Sequence, residues 1–131
     1  MTKKILIVDD IEVMRESMRN VLEDEKYDLS LAENGVMACR LLTVQHFDLV
    51  ISDMLMPDMD GFELSKFIHN NFPEMKLIII SGGGRSYQQN VFDVDSLLRQ
   101  VKTIINPDAI FMKPFDNQLF LEEVERLLSN E

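Results

Sequence analysis

Short apolar runs alternate along the chain with longer segments whose apolar residues recur every three or four positions. "KILIV" (4–8) and "DLVIS" (48–52) are Ile/Val-rich runs that read as strands buried on both faces. "KLIIIS" (76–81) and "AIFM" (109–112) read as further strands, and the alternating "DLSLA" (28–32) as a strand nearer an edge. Between them, residues 12–25 place Val13, Met14, Met18, Val21 and Leu22 on one face of an amphipathic helix. Asn34 can cap a second helix that runs to about residue 44. A third begins near Gly61 and ends before Pro73. Val94, Leu97, Leu98, Val101 and Ile105 have helical spacing, which predicts a helix over 88–105. A last helix covers 116–129, with Leu119, Phe120, Val124, Leu127 and Leu128 facing inward.

Five strands alternating with five helices predict an α/β fold built on a parallel sheet. Right-handed crossovers restrict it to a few doubly wound orders. A length of 131 residues suits one domain. Glycines 82–84 are the only linker-like stretch, and a cut there would leave one strand and two helices without a core of their own.

Charge narrows the function. The formal net charge of −10 opposes nonspecific binding to nucleic acid, whose phosphates would repel it. No apolar run approaches a membrane span, and the apolar part of "MTKKILIVDD" is too short for a signal peptide. The single cysteine, Cys39, can form no internal disulfide, which points to the cytoplasm; its place in a helix makes it a packing residue. His46 and His69 are isolated and expected at the surface.

In open parallel sheets ligands bind beyond the carboxyl ends of the strands. The first strand is followed by Asp9 and Asp10, and the third by Asp53; the fourth ends in Ser81, and the fifth is followed by Lys113 and Pro114. An aspartate after a strand is by itself an ordinary turn former. Together, though, two unit charges about 4 Å apart repel by roughly 4 kcal/mol at an effective dielectric near 20, so the cluster asks for a cation. Oxygen ligands with open positions suit Mg²⁺, which keeps waters and accepts a phosphate oxygen. Lys113 can pair with a phosphoryl oxygen and Ser81 can donate to another. Asp53, at the end of a central buried strand, is the candidate nucleophile for an acyl phosphate, and Asp9 and Asp10 are better placed to hold the metal.

With "ILIVDD", "DLVISDMLMPDMDGFEL", "IIIS" and "IFMKPF" in this order over nearly the whole chain, the sequence resembles a response-regulator receiver domain, the phosphoacceptor half of bacterial two-component signalling. The resemblance implies a flavodoxin-like sheet of order 2-1-3-4-5. It implies that Asp53 takes phosphate from the phosphohistidine of a histidine kinase or histidine phosphotransfer protein. Mg²⁺ would be held by Asp10, Asp53 and the backbone carbonyl of Leu55, with Asp9 close by. Lys113, Ser81 and Gly82 would contact the phosphoryl group, and Ser81 and Phe111 would rearrange as the switch. Pro57 and Gly61 would shape the loop after Asp53, and the Lys113–Pro114 bond is often cis in the family. The chain looks like a stand-alone receiver whose output is a protein contact through the fourth helix, fifth strand and fifth helix. Leu55 sits where the family tunes phosphate lifetime, which suggests slow self-dephosphorylation.

The span from Ser81 to Lys113 is longer than in most receivers, and the extra residues fall in "GGGRSYQQNVFDVDSLL" and the fourth helix. They could form a distinct partner surface, although the apolar stripe there is also what packing on a sheet requires. Other motifs fail on context. "DMDG" (58–61) resembles a haloacid-dehalogenase-type phosphatase motif, but Pro57 puts it in a loop. Read as an EF-hand it places Phe67 where a bidentate glutamate belongs. "SGGGRS" lacks the lysine of a phosphate-binding P-loop. Met54, Met56 and Met59 have no cysteine or histidine partners in sequence and suit packing better than soft-metal binding. The remaining alternative is a phosphorylation-independent binding module of the same fold.

Overall fold

A computed structural model of the chain describes residues 2–24, 26–82 and 98–129. Strands β1 (Lys3–Val8), β2 (Tyr27–Ala32), β3 (Leu49–Asp53), β4 (Lys76–Ser81) and β5 (Ala109–Met112) form one parallel sheet in the order β2-β1-β3-β4-β5. Helices α1 (Glu12–Leu22), α2 (Gly35–Val44) and α3 (Gly61–Asn71) follow the first three strands. The π-helical turn Val101–Ile105, labelled α4, precedes β5, and α5 (Asn117–Ser129) closes the chain.

The strand alternation divides the core between the two faces of the sheet. Leu6, Val8, Val50 and Ile79 pack under α2, α3 and α4. Ile5, Ile7, Ile51, Ile78 and Ile80 pack under α1 and α5, against Met18, Leu22, Phe120 and Val124. Three helices start on a side-chain cap: Asn34 Oδ1 accepts from Met37 N–H (2.7 Å), Asp60 Oδ1 from Glu63 N–H (2.9 Å), and Asp116 Oδ1 from Gln118 and Leu119 N–H (2.7 and 3.1 Å). Met54, Met56, Leu98, Val101 and Ile105 are buried core residues, as packing predicts; Val94 and Leu97 lie outside the described residues.

Three expectations change. Val13 and Leu119 are 74% and 59% exposed rather than inward-facing. Both lie in the first turns of their helices, which begin at the carboxyl ends of the strands, where little sheet remains to cover them. The described end of the fourth helical segment is a wider turn than an α-helix: Asn106 N–H bonds the Val101 carbonyl five residues back (2.8 Å). Asn106 takes the left-handed conformation (φ 58°), and Pro107 cannot continue a helix. The rest of the predicted 88–105 helix, and the loop from Gly83 to Arg85, lie outside the described residues.

Candidate functional site

The parallel sheet brings the predicted rim together. Asp53 is the last residue of β3, and Ser81 the last of β4; Asp9 and Asp10 follow β1, and Lys113 follows β5. One carboxylate oxygen from each of Asp9, Asp10 and Asp53 lies within 4.8 Å of the other two. Asp9 and Asp53 are buried, at 1% and 5% exposure, and Asp10 is half-buried. Lys113 reaches over them, its Nζ 3.4 Å from Asp9 Oδ2 and 3.6 Å from Asp53 Oδ1. These are long contacts for a charge-assisted pair, so one ammonium leaves three carboxylates incompletely neutralised.

Asp53 shows the effect. Burial first, and the Asp9 carboxylate second, push its pKa up to about 7, while Lys113 pulls the other way. Asp10 Oδ1 is buried and finds no hydrogen-bond partner among the described residues. A buried, unpartnered carboxylate oxygen beside two further carboxylates is the donor set of a hard divalent cation, so these residues fit Mg²⁺.

Around this centre the backbone is closely fixed. Ile11 N–H donates to Asp9 Oδ1 (2.9 Å). Met54 N–H donates to the Ile80 carbonyl (2.8 Å), and Gly61 N–H to the Met54 carbonyl (2.6 Å). A Cβ on Gly61 would lie 2.5 Å from the Asp53 carbonyl oxygen and 2.7 Å from Met54 Cα, which explains the glycine. The Pro57 carbonyl accepts from Met59 N–H (2.7 Å), and Asp58 turns the chain with φ 71°. Asp58 and Asp60 are therefore a turn residue and a helix cap. Leu55 is half-buried against the core on the α3 side. The Lys113–Pro114 bond is cis, and Lys113 N–H donates to the Ser81 carbonyl (2.8 Å). Ser81 is fully buried, yet its hydroxyl has no partner among the described residues; Gly82, next to it, is exposed. Phe111 is half-buried on the α5 side, with ring centroids 5.5 Å from Phe115 and 5.4 Å from Phe120.

Two contacts were not anticipated. Arg15 Nη1 donates to the main-chain carbonyl of Asp9 (2.7 Å), and the buried Ser52 hydroxyl donates to that of Asp53 (2.9 Å). An arginine one turn into the helix after an acidic corner is the only sequence signal for the first. Elsewhere, His46 is exposed and pairs with Asp48 (3.0 Å), and His69 is exposed. Cys39 is half-buried with its Sγ 3.8 Å from Met59 Sδ, and burial pushes its thiol pKa up. No helix among the described residues is long and apolar enough to cross a membrane.

Residues 5–125 match the response regulator receiver domain family. The chain is 34% identical over 124 residues to the chemotaxis protein CheY of Listeria monocytogenes, covering 94% of this chain and 96% of that protein. It is 31% identical over 128 residues to the transcriptional regulatory protein CrdR of Helicobacter pylori, covering 87% of this chain but only 60% of that one. The signal receiver domain of an HD domain-containing protein from Pseudomonas fluorescens Pf-5 superposes with a TM-score of 0.86 at 28% identity, covering 98% of this chain and 96% of that one. The response regulator protein TrrA of Thermotoga maritima, solved in complex with Mg²⁺–BeF, gives 0.75 at 30% identity, covering 97% and 100%. With its sheet order, its acidic pocket and these relatives, the chain belongs to the response regulator receiver domains of two-component signalling.

Proposed function

We propose that Asp53 is a phosphoacceptor that takes a phosphoryl group from the phosphohistidine of a histidine kinase or histidine phosphotransfer protein. The observation that carries this reading is the buried Asp9–Asp10–Asp53 cluster under Lys113. In the transfer an Asp53 carboxylate oxygen forms a bond to phosphorus as the phosphorus–nitrogen bond to histidine breaks, and the imidazole leaves with that electron pair. Asp9, Asp10, Asp53 and the Leu55 carbonyl would hold Mg²⁺, which when bound offsets the charge of the carboxylates and phosphoryl oxygens. That the Thermotoga relative was solved with Mg²⁺–BeF supports this assignment.

This chain's own groups supply the rest. Lys113 pairs with the transferred group, and the unpartnered Ser81 hydroxyl and the Gly82 backbone contact its oxygens. Pro57, Gly61 and Pro114 hold the loops that frame the site. The Ser81 hydroxyl, which has no partner among the described residues, gains one in the phosphoryl group, and its movement toward that group makes room for Phe111 to turn inward. That rearrangement alters the face formed by α4, β5 and α5, where a downstream protein docks. The protein thus acts as a signalling element rather than a turnover enzyme.

Incubation with acetyl phosphate and Mg²⁺, followed by intact-mass measurement, tests the reading. A phosphoryl adduct on the wild type that is absent from Asp53→Asn is the expected result. No adduct under varied conditions would instead indicate a phosphorylation-independent binding module, and turnover of phosphomonoesters a phosphatase.

A further inference from the structure

We infer that Arg15 is a positioning residue for the cation site: its guanidinium holds the Asp9–Asp10 peptide so that Asp10 presents its carboxylate to the cluster. This rests on the reading of Asp9, Asp10 and Asp53 as cation ligands. The carbonyl that Arg15 grips (2.7 Å) belongs to the peptide unit whose other half is the Asp10 nitrogen. A peptide unit is planar, so fixing its oxygen fixes the direction in which the Asp10 Cα leaves. Among the described residues little else fixes it. The α1 N-cap, Ile11, makes no side-chain capping bond. Asp9 N–H pairs with the Ala32 carbonyl (3.2 Å), and Ile11 N–H with Asp9 Oδ1 (2.9 Å). Both of those bonds tie down Asp9, and neither touches the carbonyl between Asp9 and Asp10.

The side chain being aimed is the one with work to do. Asp10 Oδ1 is buried and unpartnered among the described residues, so its direction is not set by a bond of its own. Arg15 is half-buried, and Arg15 N–H closes the first helical turn onto the Ile11 carbonyl (3.0 Å). The guanidinium is therefore anchored in α1 and reaches back over the corner that carries the ligands.

Mg²⁺ titration by calorimetry, with urea unfolding of the metal-free protein alongside, tests the inference. Partners that orient a metal ligand are worth roughly 10- to 100-fold in metal affinity. Arg15→Ala is expected to weaken Mg²⁺ binding within that range, and Arg15→Lys, which keeps a charge and a donor, to lie nearer the wild type. Arg15→Gln serves as the truncation should the alanine variant not fold. Arg19→Ala removes a positive charge from the same helix, where among the described residues Arg19 bonds Glu16 (2.6 and 3.0 Å), and is expected to stay within twofold of wild type. Three results would overturn the inference: Mg²⁺ affinity of Arg15→Ala within twofold of wild type while its metal-free stability falls, equal losses in Arg15→Ala and Arg15→Lys, or an equal loss in Arg19→Ala. If the wild type binds no Mg²⁺, the cation-site reading itself fails and the inference falls with it. If the wild type binds and Arg15→Ala binds as well, only the role of Arg15 is lost.

Discussion

In the metal-free protein the charged form of Asp53 is disfavoured by burial and by the Asp9 carboxylate, so the group titrates at about 7 rather than 3.8. The folded chain then holds this proton more tightly than the unfolded chain. The stability it contributes is fully present below about pH 4 and is lost as pH rises through about 7. Ionising Asp53 in the fold costs about 4 kcal/mol at higher pH. Asn at this position carries no charge at any pH. In EDTA, Asp53→Asn is expected to gain stability relative to wild type as pH is raised from 4 to 8, measured by urea unfolding at each pH. A constant difference between the two proteins across that range would contradict it. The four charged residues of this centre were legible in the sequence because each ends a strand or lies just past its end, and a parallel sheet delivers all such positions to one end. Arg15 was not, because a long side chain on a helix surface has no periodic signature for the carbonyl it finds.

At the scale of elements, two glycines at helix starts look alike in sequence and differ in the fold. A Cβ on Gly61 meets the backbone of Asp53 and Met54, at 2.5 and 2.7 Å, which only a shift of α3 away from β3 could relieve. A Cβ on Gly35 meets Met59 Cγ and Sδ at 2.8 Å, which can rotate away, and Met59 Cβ at 2.9 Å, which only a shift of the Met59 backbone in the loop after β3 could relieve. Gly61→Ala is accordingly expected to cost about 1–3 kcal/mol and to weaken Mg²⁺ binding, whereas Gly35→Ala, which presses on Met59 and not on the backbone of Asp53, is expected to lose stability but to leave Mg²⁺ binding intact. Denaturant unfolding and calorimetry would check both. Strand and helix positions were legible almost throughout, since both faces of this sheet are covered and the apolar runs stand out. Val13 and Leu119 misled because periodicity reports which face of a helix a residue is on, not whether anything lies opposite that turn. The wide turn Val101–Ile105 was hidden for a related reason: a spacing of four fits an α-helix and a π-helical turn equally well.

For the whole molecule, the net charge of −10 and the carboxylate cluster make the fold sensitive to divalent ions in a way a balanced surface would not be. A ligand that binds only the folded state stabilises it by about 2.7 kcal/mol at a hundred times its Kd. Millimolar Mg²⁺ is therefore expected to raise the unfolding temperature, NaCl at matched ionic strength to raise it less, and Asp10→Asn to lose most of the Mg²⁺-specific part. A thermal shift that NaCl reproduces in full would reduce the effect to screening.

The contact of Gly61 with the backbone of Asp53 and Met54 also gives α3 a mechanical property. The helix is bonded at its first residue to the chain that carries Asp53, so that end behaves as a pivot. With 11 residues counted from Gly61, α3 is a lever about 15 Å long, and a tilt of about 5° there carries the far end through about 1.3 Å. Displacements of that size are enough to repack a helix against its neighbours. What lies at the far end is the edge-to-face pair of Phe67 and Phe72 and the turn into β4, on the opposite side of the domain from the chemistry. A sub-ångström adjustment of the Asp53 main chain would thus be legible at a distance no direct contact with the acidic cluster could reach.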